Sequence, residues 1–244
     1  MKRFAALFLS ILFIFTAAFP AGAANNSSAA TMQLEKIQGT VTVENASGRS
    51  ISTRDGMRLY DGYTIRTGAK SYAYISLDSS KALKLDASSK VEVQKSGKKL
   101  EISVISGQLF FDVSLPLDKS ESLTVRTSTM VTGIRGTSGW FTVTTPNSTQ
   151  VNLLEGELTV YGTQSVEGTL PQTTITGGQS VTFAAPSSGQ DTVPQPAPIS
   201  EQSIPGFVAT AVAENSQLQQ RIQQETTLNV EQITVDAQQR LEKE

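Results

Sequence analysis

Between Leu34 and about Ala185 the chain repeats one pattern, an apolar residue followed by a polar one. Side chains reverse face at each position of an extended strand, so a period of two specifies half-buried strands rather than helices. Ala73, Ile75 and Leu77 share one face, with Tyr72, Tyr74 and Ser76 on the other. The same period recurs around Val41, Leu83, Val91, Leu100, Phe141, Val151 and Leu158. Gly and Asx residues punctuate these runs at Asn45 to Gly48, Asp55-Gly56, Asp61-Gly62, Ser96-Gly97 and Gly177-Gly178, as turns between strands require. Ser96-Gly97 lies between two runs with matching faces, so Val91 to Val104 reads as a β-hairpin. No helical period interrupts the series, which argues against a parallel α/β sheet.

A weaker regularity lies on top of the alternation. Ile37-Gln38-Gly39-Thr40-Val41, Ile105-Ser106-Gly107-Gln108-Leu109 and Leu154-Glu155-Gly156-Glu157-Leu158 share the order apolar, polar, Gly, polar, apolar. Each glycine permits a bend just before a strand. The intervals are unequal, which excludes a strict solenoid. The expected fold is therefore all-β, a twisted two-sheet sandwich or roll of mostly antiparallel strands whose corners recur, with a C-terminal helical tail.

The two ends of the chain read differently. Lys2 and Arg3 precede an apolar run from Phe4 to Ala18, broken only by Ser10 and Thr16, and Ala21-Gly22-Ala23 follows. This is the order of a secretory signal peptide, 1–23, cut before Ala24. The apolar run is shorter than the roughly 20 residues of a membrane span. Residues 24–33 are expected to be a flexible leader, 34–185 the β domain and 186–204 a linker, the stretch from Pro186 through Pro205 holding five prolines with both ends counted. In 205–244 the apolar residues Val208, Ala211, Leu218 and Ile222, then Val230, Ile233, Ala237 and Leu241, recur at threes and fours around a polar Asn215. That spacing predicts a broken helix or a helical pair, with Asn229 capping the second segment. The stripe suits either a short coiled-coil seam that makes a homo-oligomer, or a marginal helix lying loosely on the β body.

Composition narrows the chemistry. The chain of 244 residues has neither His nor Cys, which removes a usual serine triad, an ordinary zinc site, disulfide staples and a lipobox. Without Lys2 and Arg3 it carries 18 basic and 22 acidic residues, and it has no basic field for nucleic acid or an anionic membrane surface. The Ser96 to Lys99 spacing falls on the expected hairpin turn, where a solvated ammonium cannot serve as a base. Asp55, Asp61, Asp78, Asp86 and Asp112 form no spaced calcium array, and Asp before Gly is usually a turn residue. No phosphate-cradling glycine loop is present. No catalytic, cofactor or metal residues are nominated. A paired-carboxylate wall hydrolase survives only because such pairs leave no spacing signature.

Two stretches resemble a known family. Gly56-Met57-Arg58-Leu59-Tyr60-Asp61-Gly62-Tyr63-Thr64-Ile65-Arg66-Thr67-Gly68, followed by Ser71, Ala73, Ile75, Leu77 and Asp78, is similar to the FecR domain, with Asp61-Gly62 where the family usually has Gly-Asp. Leu123 to Thr127 and the Gly133-Ile134-Arg135-Gly136-Thr137-Ser138-Gly139-Trp140 segment resemble its Val-x-Thr and Ile-Arg-Gly-Thr signature. The likeness extends over roughly 36–184. It implies a β-rich extracytoplasmic sensing or interaction domain with no established catalysis and no cofactor. In iron-citrate regulators of that family the domain follows a sigma-factor-binding segment and one membrane span. Here a signal peptide leads directly into the domain, so the expectation is the stand-alone exported version without the anti-sigma segment.

The expected function is a non-enzymatic binding module, extracellular, cell-wall or periplasmic, that recognises an envelope protein or a cell-wall polymer. A different expectation is a structural surface protein that oligomerises through its tail. Arg66 and Arg135 each sit beside Thr and Gly in the two signatures, and together they could hold an anionic group. The alternative is that each guanidinium ties loop carbonyls or an aspartate. Tyr72 and Tyr74 share a strand face, and Tyr60, Tyr63 and Trp140 lie in the signature regions; an aromatic strip of this kind could stack on wall sugars, or could simply cover a sheet.

Overall fold

The computed structural model describes residues 32–165, 168–185, 194–235 and 237–243. The expected signal peptide, most of the expected leader and the proline-rich stretch 186–193 lie outside the described residues. The chain runs through β1 (Gln33–Gln38), β2 (Val41–Glu44), β3 (Ser50–Ile51), β4 (Met57–Arg58), β5 (Tyr63–Thr67), β6 (Tyr72–Asp78), β7 (Lys81–Leu85) and β8 (Lys90–Ser96). It continues with β9 (Lys99–Val113), β10 (Ser122–Arg126), β11 (Met130–Ile134), β12 (Ser138–Thr145), β13 (Ser148–Glu155), β14 (Glu157–Gly162), β15 (Gln172–Thr176), β16 (Gln179–Ala184) and β17 (Ala197–Pro198). Among the described residues four α-helices follow: α1 (Gly206–Ala213), α2 (Ser216–Glu225), α3 (Val230–Thr234) and α4 (Ala237–Lys243).

The strands form two layers joined by β9. Sheet A runs in the order β4, β1, β6, β7, β9, β12, β13, β16, β17. Sheet B runs β3, β2, β5, β8, β9, β10, β11, β14, β15. Among these pairings only β9 with β10 is parallel. The hairpin expected over Val91 to Val104 is β8 with β9, closed at Ser96 opposite Lys99. β9 passes from sheet B to sheet A at Gly107, where φ is +84°. A Cβ added there would lie 2.5 Å from Ser89 Cα, so the corner needs glycine both for its backbone angle and for space. Gly39 and Gly156, the other members of the sequence echo, have φ of +74° and +86° and also stand where the chain changes sheet. The repeated pattern therefore marks the corners of the roll.

The period-two faces meet between the layers. Ala73, Ile75, Leu77, Leu83, Leu85, Phe111, Phe141 and Leu153 from sheet A pack against Val43, Ile65, Val91, Val93, Ile102, Val125 and Val160 from sheet B. Phe111 and Phe141 stack at 5.0 Å. Met32 and Leu34 are buried here as well, and Gln33 already belongs to β1. The last two residues of the expected leader, Met32 and Gln33, thus belong to the β body.

The tail is neither a free seam nor loosely placed. Phe207, Val208, Val212, Leu218, Ile222, Val230 and Ile233 are buried in a second core with Tyr72, Phe110, Trp140 and Leu154 from the outer face of sheet A. The residues expected to form a coiled-coil stripe are thus consumed within the chain. Asn215 sits at the break between α1 and α2 and caps the latter, its Oδ1 accepting from Leu218 N at 3.0 Å. Asn229 caps α3 in the same way, accepting from Gln232 N at 3.2 Å. Within the expected linker, β17 pairs with β16 and Glu201–Ser203 forms a 3-10 turn.

Candidate functional site

The two arginines nominated from the sequence do not converge. Arg66 lies on β5 opposite Lys90, which in turn faces Ser106. Arg135 follows Ile134 of β11, which aligns through Leu123 with Leu100 at the other end of β9. Four strand steps and six residues along a strand separate them, roughly 19 Å across and about 20 Å along the sheet. Both side chains are exposed, and among the described residues neither forms an ion pair. The shared anion site is therefore corrected: the two signature segments end at opposite corners of sheet B.

The aromatic strip is corrected too. Tyr72 and Trp140 are 7% and 3% exposed and Tyr74 is half-buried, because the tail covers this face. The two tyrosines instead flank Lys84, whose Nζ lies 5.6 Å from the Tyr72 ring and 5.0 Å from that of Tyr74, within cation–π range. Lys84 is itself 2% exposed and donates to Phe207 O at 2.9 Å and Thr210 Oγ1 at 2.7 Å in α1. Burial pulls its ammonium down to about 8, against the opposing pull of Glu214 and Asp86.

A second polar contact docks α2. Arg221 pairs with Asp112 and, through Nε at 3.1 Å, with Glu155. Ser138 Oγ lies 2.6 Å from Asp112 Oδ1 and 2.7 Å from Glu155 Oε1, and Asn215 Nδ2 donates to Asp112 Oδ2 at 2.9 Å. Asp112 and Glu155 are 7% and 2% exposed. One hydroxyl proton cannot serve both carboxylates, and burial pushes the Glu155 carboxyl above its usual range, with Ser138 and Arg221 opposing. These carboxylates hold a helix to a sheet.

One open cleft, about 320 Å³, is lined by charged residues, Glu35, Asp78, Lys81 and Asp112, and two others are open as well. The first of these two, about 380 Å³, is lined by Ile51, Arg54, Met57, Arg58, Tyr60 and Tyr63. Tyr60 is 56% exposed and meets Tyr63 edge-on, ring centres 5.5 Å apart. The neighbouring carboxylates are occupied: Asp55 accepts from Ile37 N at 2.8 Å and Asp61 from Lys95 N at 2.7 Å. Arg54 and Arg58 have no carboxylate partner among the described residues. The sequence offered one clue, since Asp-Gly turns commit the nearest acids to backbone and leave interspersed arginines unmatched. The second cleft, about 340 Å³, lies where Trp140, Thr142 and Asn152 of sheet A face Pro198, Ser203 and Pro205.

Against known families, residues 63–159 match the model of the FecR protein. Over that segment the chain resembles a FecR domain. The matched segment spans β5 to β14 and so supplies the middle of both sheets, while β1 to β4, β15 to β17 and the helices lie outside it. It includes the Trp140 and Asn152 side of the second cleft and begins at Tyr63 of the first. Two crystal structures of a proposed anti-sigma factor from Parabacteroides distasonis ATCC 8503 are similar. One is 12% identical with a TM-score of 0.47, over 61% of this chain and 64% of that one. The other is 11% identical with a TM-score of 0.47, over 65% and 73%. The match thus spans less than two thirds of the first of these structures. No curated protein matches the sequence.

Proposed function

We propose that the chain is a non-enzymatic recognition module that acts outside the cytoplasm and binds an envelope protein through the cleft at Arg54, Arg58 and Tyr60. The observation that carries this reading is an exposed aromatic ring beside two unneutralised guanidiniums, at the edge of the segment that resembles a FecR domain. Tyr and Arg supply a large share of binding energy at protein interfaces. A tyrosine buries a broad apolar face, and the planar fork of arginine holds a carboxylate by two hydrogen bonds. The matching partner presents carboxylates beside an apolar side chain. Export is supported by Lys2 and Arg3 ahead of the Phe4 to Ala18 run, and the non-enzymatic reading by a sequence with neither His nor Cys.

Proximity labelling on the exporting cell, with the native chain and an Arg54→Ala/Arg58→Ala/Tyr60→Ala variant, tests the proposal. Because these side chains lie outside both cores, the variant keeps the native circular dichroism. It should lose its envelope partner, with affinity lowered at least about 100-fold if two of the three are hot spots. An unchanged set of labelled proteins would exclude the cleft as the recognition surface.

A further inference from the structure

The second cleft holds a feature that the protein-binding surface does not use. Trp140 of β12 stands opposite Asn152 of β13, and Asn152 opposite Ser180 of β16, all on the outer face of sheet A. The chain from Pro198 to Pro205 forms the facing wall. Asn152 is 3% exposed, yet among the described residues its Nδ2 has no hydrogen-bond acceptor. A buried amide donor left unpaired costs about 1–3 kcal/mol, so this position is destabilising unless something with an acceptor oxygen enters the cleft.

The rest of the lining specifies what that is. Among the described residues no charged side chain lines the cleft, which gives an ionic ligand nothing there to neutralise it. Thr142 Oγ1 donates to Gln108 Oε1 at 3.1 Å, Ser203 Oγ to Ser200 O at 2.7 Å and Ser180 Oγ to Ala197 O at 3.4 Å. With their protons committed, these hydroxyl oxygens are left as acceptors. Asn152, together with the exposed amide of Gln150, supplies donors. Trp140, Pro198, Ile199 and Pro205 add an apolar wall. Alternating donors and acceptors beside an apolar surface, without charge, match a ligand whose hydroxyls both donate and accept and whose ring carries C–H faces. A cavity of about 340 Å³ lies within the size range of small-molecule sites. An extended peptide fits less well, because it recognises a sheet through an open edge and β17 already pairs with β16 here.

We infer that the cleft between sheet A and the Pro198–Pro205 wall is a binding site for a neutral sugar, with the Asn152 amide donating to a ring or hydroxyl oxygen. Trp140 is the sole tryptophan of the chain, so occupation of this cleft can be followed by its fluorescence. The chain is titrated with N-acetylglucosamine, N,N′-diacetylchitobiose and glucose, with sodium phosphate and triglycine as ionic and peptide controls. The expected result is a saturable change in Trp140 emission with at least one sugar and none with the controls. Asn152→Leu, which removes the orphan donor at similar volume, should melt no lower than the native chain and bind that sugar at least about tenfold more weakly. Gln150→Ala, at an exposed position, should weaken binding several-fold and guards against misfolding of the first variant. Absence of any saturable sugar response would overturn the inference and leave Asn152 satisfied by water. So would saturation by triglycine instead, or equal sugar affinity in both variants and the native chain. None of these outcomes touches the Arg54–Tyr60 surface, which the labelling experiment judges separately.

Discussion

Lys84 shows how far a single residue departs from what its local sequence suggests. Its neighbours Leu83 and Leu85 point into the main core, so by alternation Lys84 points outward. Outward here means beneath α1, where the ammonium has two hydrogen bonds and two aromatic faces. An unfolded lysine titrates at 10.5 and folded Lys84 at about 8, so between those values the unfolded chain holds the extra proton and stability rises with pH. Tyr74 acts in the opposite sense. Burial, then the Glu214 charge, pushes its hydroxyl from 10.0 up to about 12, so above pH 10 the unfolded chain loses that proton first and stability falls. Chemical denaturation should therefore show stability climbing from pH 8 to about 10. In Lys84→Met that climb should vanish, with stability at pH 7 equal to the native value or up to about 3 kcal/mol higher. A Lys84→Met chain that keeps the climb would assign it to another group. Residue roles of this kind were largely illegible in the sequence. Tyr72, Trp140 and Lys84 looked solvent-facing because the segment covering them lies more than 60 residues further along. Arg66 and Arg135 looked related because their motifs are alike, although register puts them at opposite corners.

Elements were more legible, and the reason is that strand period and corner glycines are local signals. The β8–β9 hairpin and the bends at Gly39, Gly107 and Gly156 could be read from a few residues each. The tail was only half legible. Its caps at Asn215 and Asn229 are local, but its docking depends on charges 66 to 109 residues away. One available clue was α1, whose Gly-Phe-Val-Ala-Thr-Ala-Val-Ala sequence is apolar on every side, a composition that calls for burial rather than a narrow seam. The close seat of α1 on α4 is visible at Gly206, where an added Cβ would meet Leu241 N at 2.4 Å. Docking of α2 rests on Arg221. Arg221→Ala leaves Asp112 and Glu155 buried without their cation, and urea denaturation at pH 7 should show a loss of about 3–5 kcal/mol. Glu155 already titrates above its usual range and would climb further. A raised carboxyl takes up a proton in the folded state first, so the deficit should shrink as pH falls from 7 to 5. A deficit that is constant across that range would mean the carboxylates are not what Arg221 compensates.

On the scale of the molecule, the protein is a three-layer body: sheet B, sheet A and a helical layer, with one apolar core in each interval. Binary pattern revealed the first interval because both of its walls alternate. It hid the second, because one wall is a sheet face carrying Lys84, Asp112 and Asn152 as well as aromatics, and the other is a tail rich in Gln and Glu. The division of surfaces follows from this layering. The tail closes most of the outer face of sheet A and leaves the Trp140 cleft beside it, while the Arg54–Tyr60 cleft stands free of the helices. Amide hydrogen exchange on the full chain, read segment by segment, is the most direct test of the layering. If the tail belongs to the same cooperative unit, amides of α1 and α2 should exchange as slowly as those of β12 and β13 beneath them. Exchange of α1 and α2 within seconds, with β12 and β13 still protected, would contradict the packed helical layer.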